Sequence, residues 1–193
     1  MVNMNLDFLL RGFTILIFFI TRLYWYLAKQ GLYLGKQEKL NKWLVFEKIE
    51  IILSAFIIGL NILGFTIFKF ENIFIQIIGF ILVILGCLEA ILGRNALGKN
   101  WTECYDYHIK NKHRLIVNGP YKYVRHPIYG GFTIAITGAF LVAKTYLFLP
   151  IFLLILLLMT RFAKREEKLL KGYFDKKYVD YMQKTKMFIP FIY

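Results

Sequence analysis

The chain has 193 residues, 58% of them apolar and 19 of them Phe, against about 45–50% apolar in an ordinary soluble domain. With a mean hydropathy of +0.52, it is neither a disordered tail nor a typical soluble globule. The net charge of +13 in so apolar a chain points to a membrane surface or an anionic ligand, with no nucleic-acid partner expected. Two cysteines, Cys87 and Cys104, cannot build a disulfide framework, and the length suits a single domain, 1–193.

The first apolar run is Phe8–Ala28. It carries Arg11 and Arg22, which must sit near its ends or face other helices. Met1–Asp7 holds no Lys or Arg, and no small-residue cleavage site precedes Lys29. The segment therefore reads as a retained span and not a signal peptide. Ile51–Phe68 and Ile73–Leu92 follow, each matching the roughly 20 residues that cross a hydrocarbon core. Within them Asn61 and Gln76 suit interhelical hydrogen bonds. Glu89, near the end of the third run, is either an intramembrane functional acid or a side chain that snorkels to the interface. Ile128–Ala143 and Thr145–Thr160 are separated by Lys144 alone, which reads as a tight helical hairpin. The expected architecture is an all-α, polytopic integral membrane protein with five transmembrane helices. A cytoplasmic loop and an amphipathic C-terminal helix would form its site.

Loop charge orients this arrangement. Five Lys/Arg lie in 29–48, seven in 94–125 and nine from Arg161 onward, while the other two turns hold only Lys69 and Lys144. Basic loops stay cytoplasmic. The N-terminus is then outside, with the long loop and the tail inside.

Chemistry concentrates in Gly93–Gly131 and Arg161–Tyr193, both on the cytoplasmic side by that argument. Asn118-Gly119-Pro120-Tyr121 is a turn signal. Pro127 pushes His126 away from helical geometry and suits the first turn of the fourth span. Arg125, His126 and Tyr129 are thereby placed at a helix N-terminus, whose free N–H groups and partial positive charge suit a carboxylate or phosphate. An interfacial belt of Arg and Tyr is the plainer alternative. On a helical wheel of the tail with Leu169 at zero, Leu170, Tyr173, Phe174, Tyr178 and Tyr181 fall between about 0° and 180°. Glu166 and Glu167 lie inside that apolar arc. Arg161, Lys164, Arg165, Lys168 and Lys171 lie opposite, where lipid phosphates explain them. Buried carboxylates need partners, and a salt bridge to Arg125 would supply one. Cys104, His108 and His113 match no common zinc spacing, so no metal is expected.

Leu97-Gly98 with Trp101, His113-Arg114-Leu115-Ile116, Gly119-Pro120-Tyr121 and Arg125-His126-Pro127-Ile128-Tyr129-Gly130 together resemble the isoprenylcysteine carboxyl methyltransferase family. The resemblance continues through Glu166-Glu167, Leu169-Leu170, Phe174, Tyr178, Tyr181 and Ile189-Pro190. It marks 97–191 as the catalytic region and leaves spans 8–92 as compatible hydropathy only. It implies S-adenosyl-L-methionine bound on the cytoplasmic side by His113, Arg114, Leu115, Ile116, Tyr121, His126, Pro127, Ile128, Tyr129 and Glu166. Asp106 falls where the family has a further polar contact. Arg125 and Glu167 are the candidate catalytic residues. The substrate would be a lipophilic acceptor drawn from the bilayer, most simply a prenylcysteine-like carboxylate. That family places an Arg one helical turn before the Glu pair, where this chain has Phe162.

Methylation of phospholipid amines or of a thiol is the variant within the same superfamily. Either would need a base, for which His108, Glu89 and Tyr107 are the candidates. An NADPH-dependent enzyme resembling sterol reductases shares an Arg-His-x-x-Tyr turn. Against it stand Pro127 and the Glu166-Glu167 pair. A non-enzymatic membrane scaffold with a degenerate pocket is the third alternative.

Overall fold

A computed structural model describes residues 2–33, 56, 58–65, 68–101 and 113–189. The described residues form helices with two isolated β-bridges and no strand. We label the helices α1 (Val2–Tyr33), α2 (Ile73–Leu97), α3 (Pro127–Val142), α4 (Phe148–Phe174) and α5 (Lys176–Lys184). Short 3-10 turns occupy Gly98–Asn100 and Gly119–Lys122. The chain falls into two compact units, Met1–Ile84 with Ile136–Leu149, and Leu85–Ala135 with Pro150–Tyr193.

Where they are described, the apolar runs of the sequence are helical, with ends that differ from those expected. α1 contains the first run and extends beyond it on both sides. α2 starts where expected, because the Asn72 side chain accepts the N–H groups of Phe74 (2.9 Å) and Ile75 (3.1 Å). That is N-capping. Ile73–Asn100 is long and apolar enough to cross a bilayer. The run expected to reach Phe68 stops earlier. Residues 58–62 are helical, and Gly64 then takes φ 100°. Phe65 N–H reaches Leu60 O at 3.0 Å and Gly64 N–H reaches Asn61 O at 3.1 Å. This is a Schellman ending, for which glycine supplies the left-handed residue. The start of that run and most of the basic segment before it, 34–55, lie outside the described residues.

The first unit is tied by ions. Asp7 accepts from Arg11 (3.0 Å), Gln76 (2.7 Å) and Lys144 (3.0 Å), and Lys144 also meets Glu71 at 2.8 Å. Arg11 donates onward to the Ile62 carbonyl at 2.6 Å, at the end of the helical segment. A cation on terminal helix carbonyls is favourable. Gln76 also donates to Val142 O at 3.0 Å. Arg11 and Gln76 thus do what their apolar surroundings demanded of them. The expected hairpin turn is present, with Lys144 at φ 57°. Phe70 N–H donates to Lys144 O and Tyr146 N–H to Phe68 O, both at 2.9 Å.

In the second unit α2 and α3 approach backbone to backbone. A Cβ on Gly86 would lie 2.4 Å from Gly131 O, and one on Gly131 would lie 2.5 Å from Gly86 O and 2.8 Å from Ala90 N. Small residues permit such contact between apolar helices. Gly131→Ala is therefore expected to destabilise by about 1–3 kcal/mol through overpacking, read as a lowered unfolding midpoint in detergent. Gly172→Ala, whose Cβ meets nothing within 4 Å, is the control. Equal midpoints for the two variants would contradict the close approach.

The C-terminal region corrects the wheel. The last apolar run and the start of the tail are one helix, α4, which ends at Phe174. Asp175 then takes φ 47° and α5 begins. Tyr178 and Tyr181 therefore belong to a second helix, and a wheel carried past Phe174 does not apply to them. On α4 the buried stripe is Ala163, Glu167 and Leu170, with Glu166 and Phe174 half-buried beside it. Leu169 and Tyr173 stand at its edge and are exposed. The five expected basic residues are exposed.

Candidate active site

The site lies wholly within the second unit and is built from two chain segments about 40 residues apart. The first is the turn entering α3. Pro127 is the first helical residue, and the His126 carbonyl accepts Gly130 N–H at 3.0 Å. His126 therefore stands at the cap of α3, as its place before a proline required. The second is the inner face of α4, which presents Glu166 and Glu167.

Five ionisable or hydroxylic groups meet there. Arg125 Nε donates to Glu167 Oε1 at 2.7 Å. The His126 ring places Nε2 3.3 Å from Glu167 Oε1 and Nδ1 3.7 Å from Glu166 Oε2. The Tyr129 hydroxyl donates to Glu166 Oε2 at 3.0 Å. The His126 and Tyr129 rings stack, 5.5 Å apart and 10° from parallel. Phe188 closes on His126 at 6.2 Å. His126 and Glu167 are almost wholly buried, at 4% and 5% exposure. Burial by itself would raise the Glu167 carboxyl. The hydrogen bonds and charges of His126 and Arg125 outweigh it and hold the group below the usual carboxylate range.

The end of the chain is sewn onto the turn. Arg125 N–H donates to Lys186 O at 2.8 Å and His126 N–H to Met187 O at 3.1 Å, beside a bridge between Val124 and Lys186. The Arg125 guanidinium also donates to the carbonyls of Thr185 and Met182, at and near the end of α5. Tyr181 Oη donates to Tyr121 O at 2.6 Å. Burial, added to the charge of the nearby acids, pushes the Tyr178 phenol above its ordinary value. It is thereby kept neutral in the cluster of Leu170, Tyr178 and Tyr181.

The expected site residues divide accordingly. His126, Tyr129 and Glu166 are brought together, and Pro127 is buried beneath them. Ile128 packs toward Gly93, where a Cβ would meet it at 3.0 Å. Leu115 packs on the Leu170–Tyr178–Tyr181 cluster. The His113 ring lies 6.1 Å from that of Phe174. Arg114 is exposed, with its N–H on the Asn100 side chain at 3.1 Å. Ile116 is half-buried, and Tyr121 is buried on its 3-10 turn. Arg125 and Glu167 hold each other, which is the ion pair the sequence left open as an alternative. Cys104, Asp106, Tyr107 and His108 lie outside the described residues. Phe188 and the carbonyls of residues 185–187 join the site without a sequence motif of their own. The neighbouring Ile189-Pro190 motif is the only sequence signal near them. Arg94 is buried against the Trp101 ring at 4.3 Å and donates to Gly98 O, a role that loop charge alone does not indicate.

Comparison with known proteins covers the same ground. The profile of the phospholipid methyltransferase family matches residues 74–177. A probable protein-S-isoprenylcysteine O-methyltransferase of Oryza sativa subsp. indica is 33% identical over 125 residues, which is 63% of this chain and 64% of the relative. The protein-S-isoprenylcysteine O-methyltransferase of Saccharomyces cerevisiae is 32% identical over 119 residues, 60% of this chain and 49% of the relative. The chain thus spans just under two thirds of the rice protein and about half of the yeast one. A solved structure of the eukaryotic intramembrane Ras methyltransferase ICMT (isoprenylcysteine carboxyl methyltransferase) has a similar fold. Its TM-score is 0.55 at 24% identity, over 77% of this chain and 50% of that one.

Proposed function

Because the chain belongs to the phospholipid methyltransferase family, we propose that it is a membrane-embedded, S-adenosylmethionine-dependent methyltransferase. It acts at the cytoplasmic membrane face on a lipophilic acceptor, most simply the carboxylate of a prenylcysteine-like group. Five spans place the N-terminus outside and the tail inside, following the charge bias of the loops. A membrane-impermeant maleimide applied to right-side-out vesicles should then modify a cysteine at position 4 and spare one at position 186. Modification of both would remove this topology.

The observation that carries the proposal is the meeting of the α3 N-terminus with Glu166 and Glu167 through His126 and Tyr129. These residues fit the cofactor on chemical grounds. The first turn of α3 offers N–H donors and partial positive charge to a carboxylate. Glu166, half-buried and steered by the Tyr129 hydroxyl, suits an ammonium or ribose hydroxyl. The stacked His126 and Tyr129 rings offer aromatic faces to a cationic or planar group. When bound, the cofactor supplies an electrophilic methyl group. An ionised carboxylate acceptor needs no base, so this chain's residues act by orientation and exclusion of water. Arg125 and Glu167 serve the reaction from behind, Glu167 by fixing the His126 ring and Arg125 by holding the tail against the turn.

Titration of the detergent-purified protein with S-adenosylhomocysteine and with NADPH tests this reading. Saturable binding of the former and none of the latter is expected. Glu166→Gln should weaken S-adenosylhomocysteine binding while leaving the unfolding midpoint near that of the parent. Binding of NADPH alone would overturn the methyltransferase reading.

A further inference from the structure

The outer face of α4 carries a change of character that the site chemistry does not use. Leu153, Leu154 and Leu157 are 56%, 52% and 50% exposed. Turning about 100° per residue brings Arg161, Lys164, Arg165, Lys168 and Lys171 onto the same face, and all five are exposed. No acid interrupts this arc between Phe148 and Lys171. The helix's two acids, Glu166 and Glu167, point the other way into the site. None of the five cations makes an ion pair among the described residues. One face therefore passes from leucine to unbroken positive charge within a single turn. That is the profile of a helix leaving hydrocarbon through a layer of anionic headgroups.

We propose that Arg161, Lys164, Arg165, Lys168 and Lys171 form a docking face for the headgroups of anionic phospholipids, and that this face sets the depth of the site. The turns that point these cations outward point Glu166 and Glu167 inward. A headgroup layer gripping the outer side therefore holds the site acids at the level of the lipid phosphates. An acceptor anchored by an apolar chain presents its reacting group at that level. The inference rests on the membrane placement proposed above, and it concerns lipid selection, not methyl transfer.

The test reads lipid proximity without any reaction. A fluorophore is placed on Gly172→Cys, a helical position with open space around it, in a Cys104→Ser background. The protein is reconstituted in phosphatidylcholine vesicles doped with spin-labelled phosphatidylglycerol or, separately, spin-labelled phosphatidylcholine. Local enrichment of the anionic lipid should be roughly fivefold for each cation that engages a headgroup, the equivalent of about 1 kcal/mol per residue. It should appear as stronger quenching at equal mole fraction and fade at about 1 M salt, where the screening length is about 3 Å. Changing all five cations to Gln should abolish the preference, and changing the three lysines to Arg should keep it. Equal quenching by the two lipids in the parent protein would overturn the docking face while leaving the membrane reading intact. Quenching by neither would overturn both. Suppression of the preference by inorganic phosphate at millimolar concentration would also overturn it, by marking a free-phosphate site.

Discussion

Glu167→Ala is expected to lower the stability of the ligand-free protein by about 3–5 kcal/mol, because it strands a buried guanidinium. The Arg125 and Glu167 side chains are only 9% and 7% exposed and meet at 2.7 Å. Removing one leaves the other desolvated without its partner. Replacing both, as Arg125→Met with Glu167→Leu, removes the two charges together and should recover a large part of the loss. Thermal unfolding in detergent distinguishes the variants. A single variant as stable as the parent would mean that the pair is not buried in solution. The sign of the pH dependence follows from the same contact. Glu167 titrates below an unfolded carboxyl, whose value is about 4.3, so its contribution is fully present above that value. It is lost as pH falls through the lower folded value. Stability below about pH 4.3 should therefore fall less steeply in Glu167→Gln than in the parent.

His126→Ala is expected to weaken S-adenosylhomocysteine binding by roughly 10- to 150-fold, the equivalent of about 1.5–3 kcal/mol for a charge-assisted hydrogen bond. The ring stacks on Tyr129, lies within reach of both Glu166 and Glu167, and belongs to the residue at the cap of α3, whose first turn is the proposed seat of the cofactor. Arg161→Ala, on the exposed opposite face of α4, should change binding by less than a factor of about two, as for a surface substitution. Calorimetry on the two variants side by side decides the point. Equal losses would mean that the ligand does not sit against the α3 N-terminus.

The contrast in placement between His126, buried at the α3 cap, and Arg161, exposed on α4, was legible in the sequence, because both placements rest on local rules. A residue before proline at the head of an apolar run has few conformations open to it, and a basic residue on an otherwise basic arc has little reason to turn inward. The acids were half legible. Their place among apolar positions required a partner, and Arg125 was one named candidate. What escaped was non-local or depended on a single backbone angle. Gly64 ends its helix four residues before hydropathy runs out, because a left-handed residue stops a helix however apolar its neighbours are. Asp175 does the same to the tail at φ 47°, a conformation that a non-glycine residue adopts only when its surroundings impose it. The carbonyls of residues 185–187 carry no side-chain signature at all. Their role exists only once α5 has returned the chain to the turn at 123–126.

That return has a consequence for biosynthesis. The hydrogen bond from Arg125 to Thr185 spans 60 residues, and the main-chain bonds from Arg125 and His126 end on Lys186 and Met187. A nascent chain already inserted through α3 and α4 therefore holds Glu166, Glu167 and the His126 and Tyr129 rings, yet lacks Phe188 and the main-chain contacts of residues 185–187. Ribosome-stalled chains ending before Thr185 should accordingly not be retained on immobilised S-adenosylhomocysteine, whereas chains released after Ile189 should be. Assembly of the site thus waits on residues 185–188, and retention on that ligand would mark that they have docked on the turn.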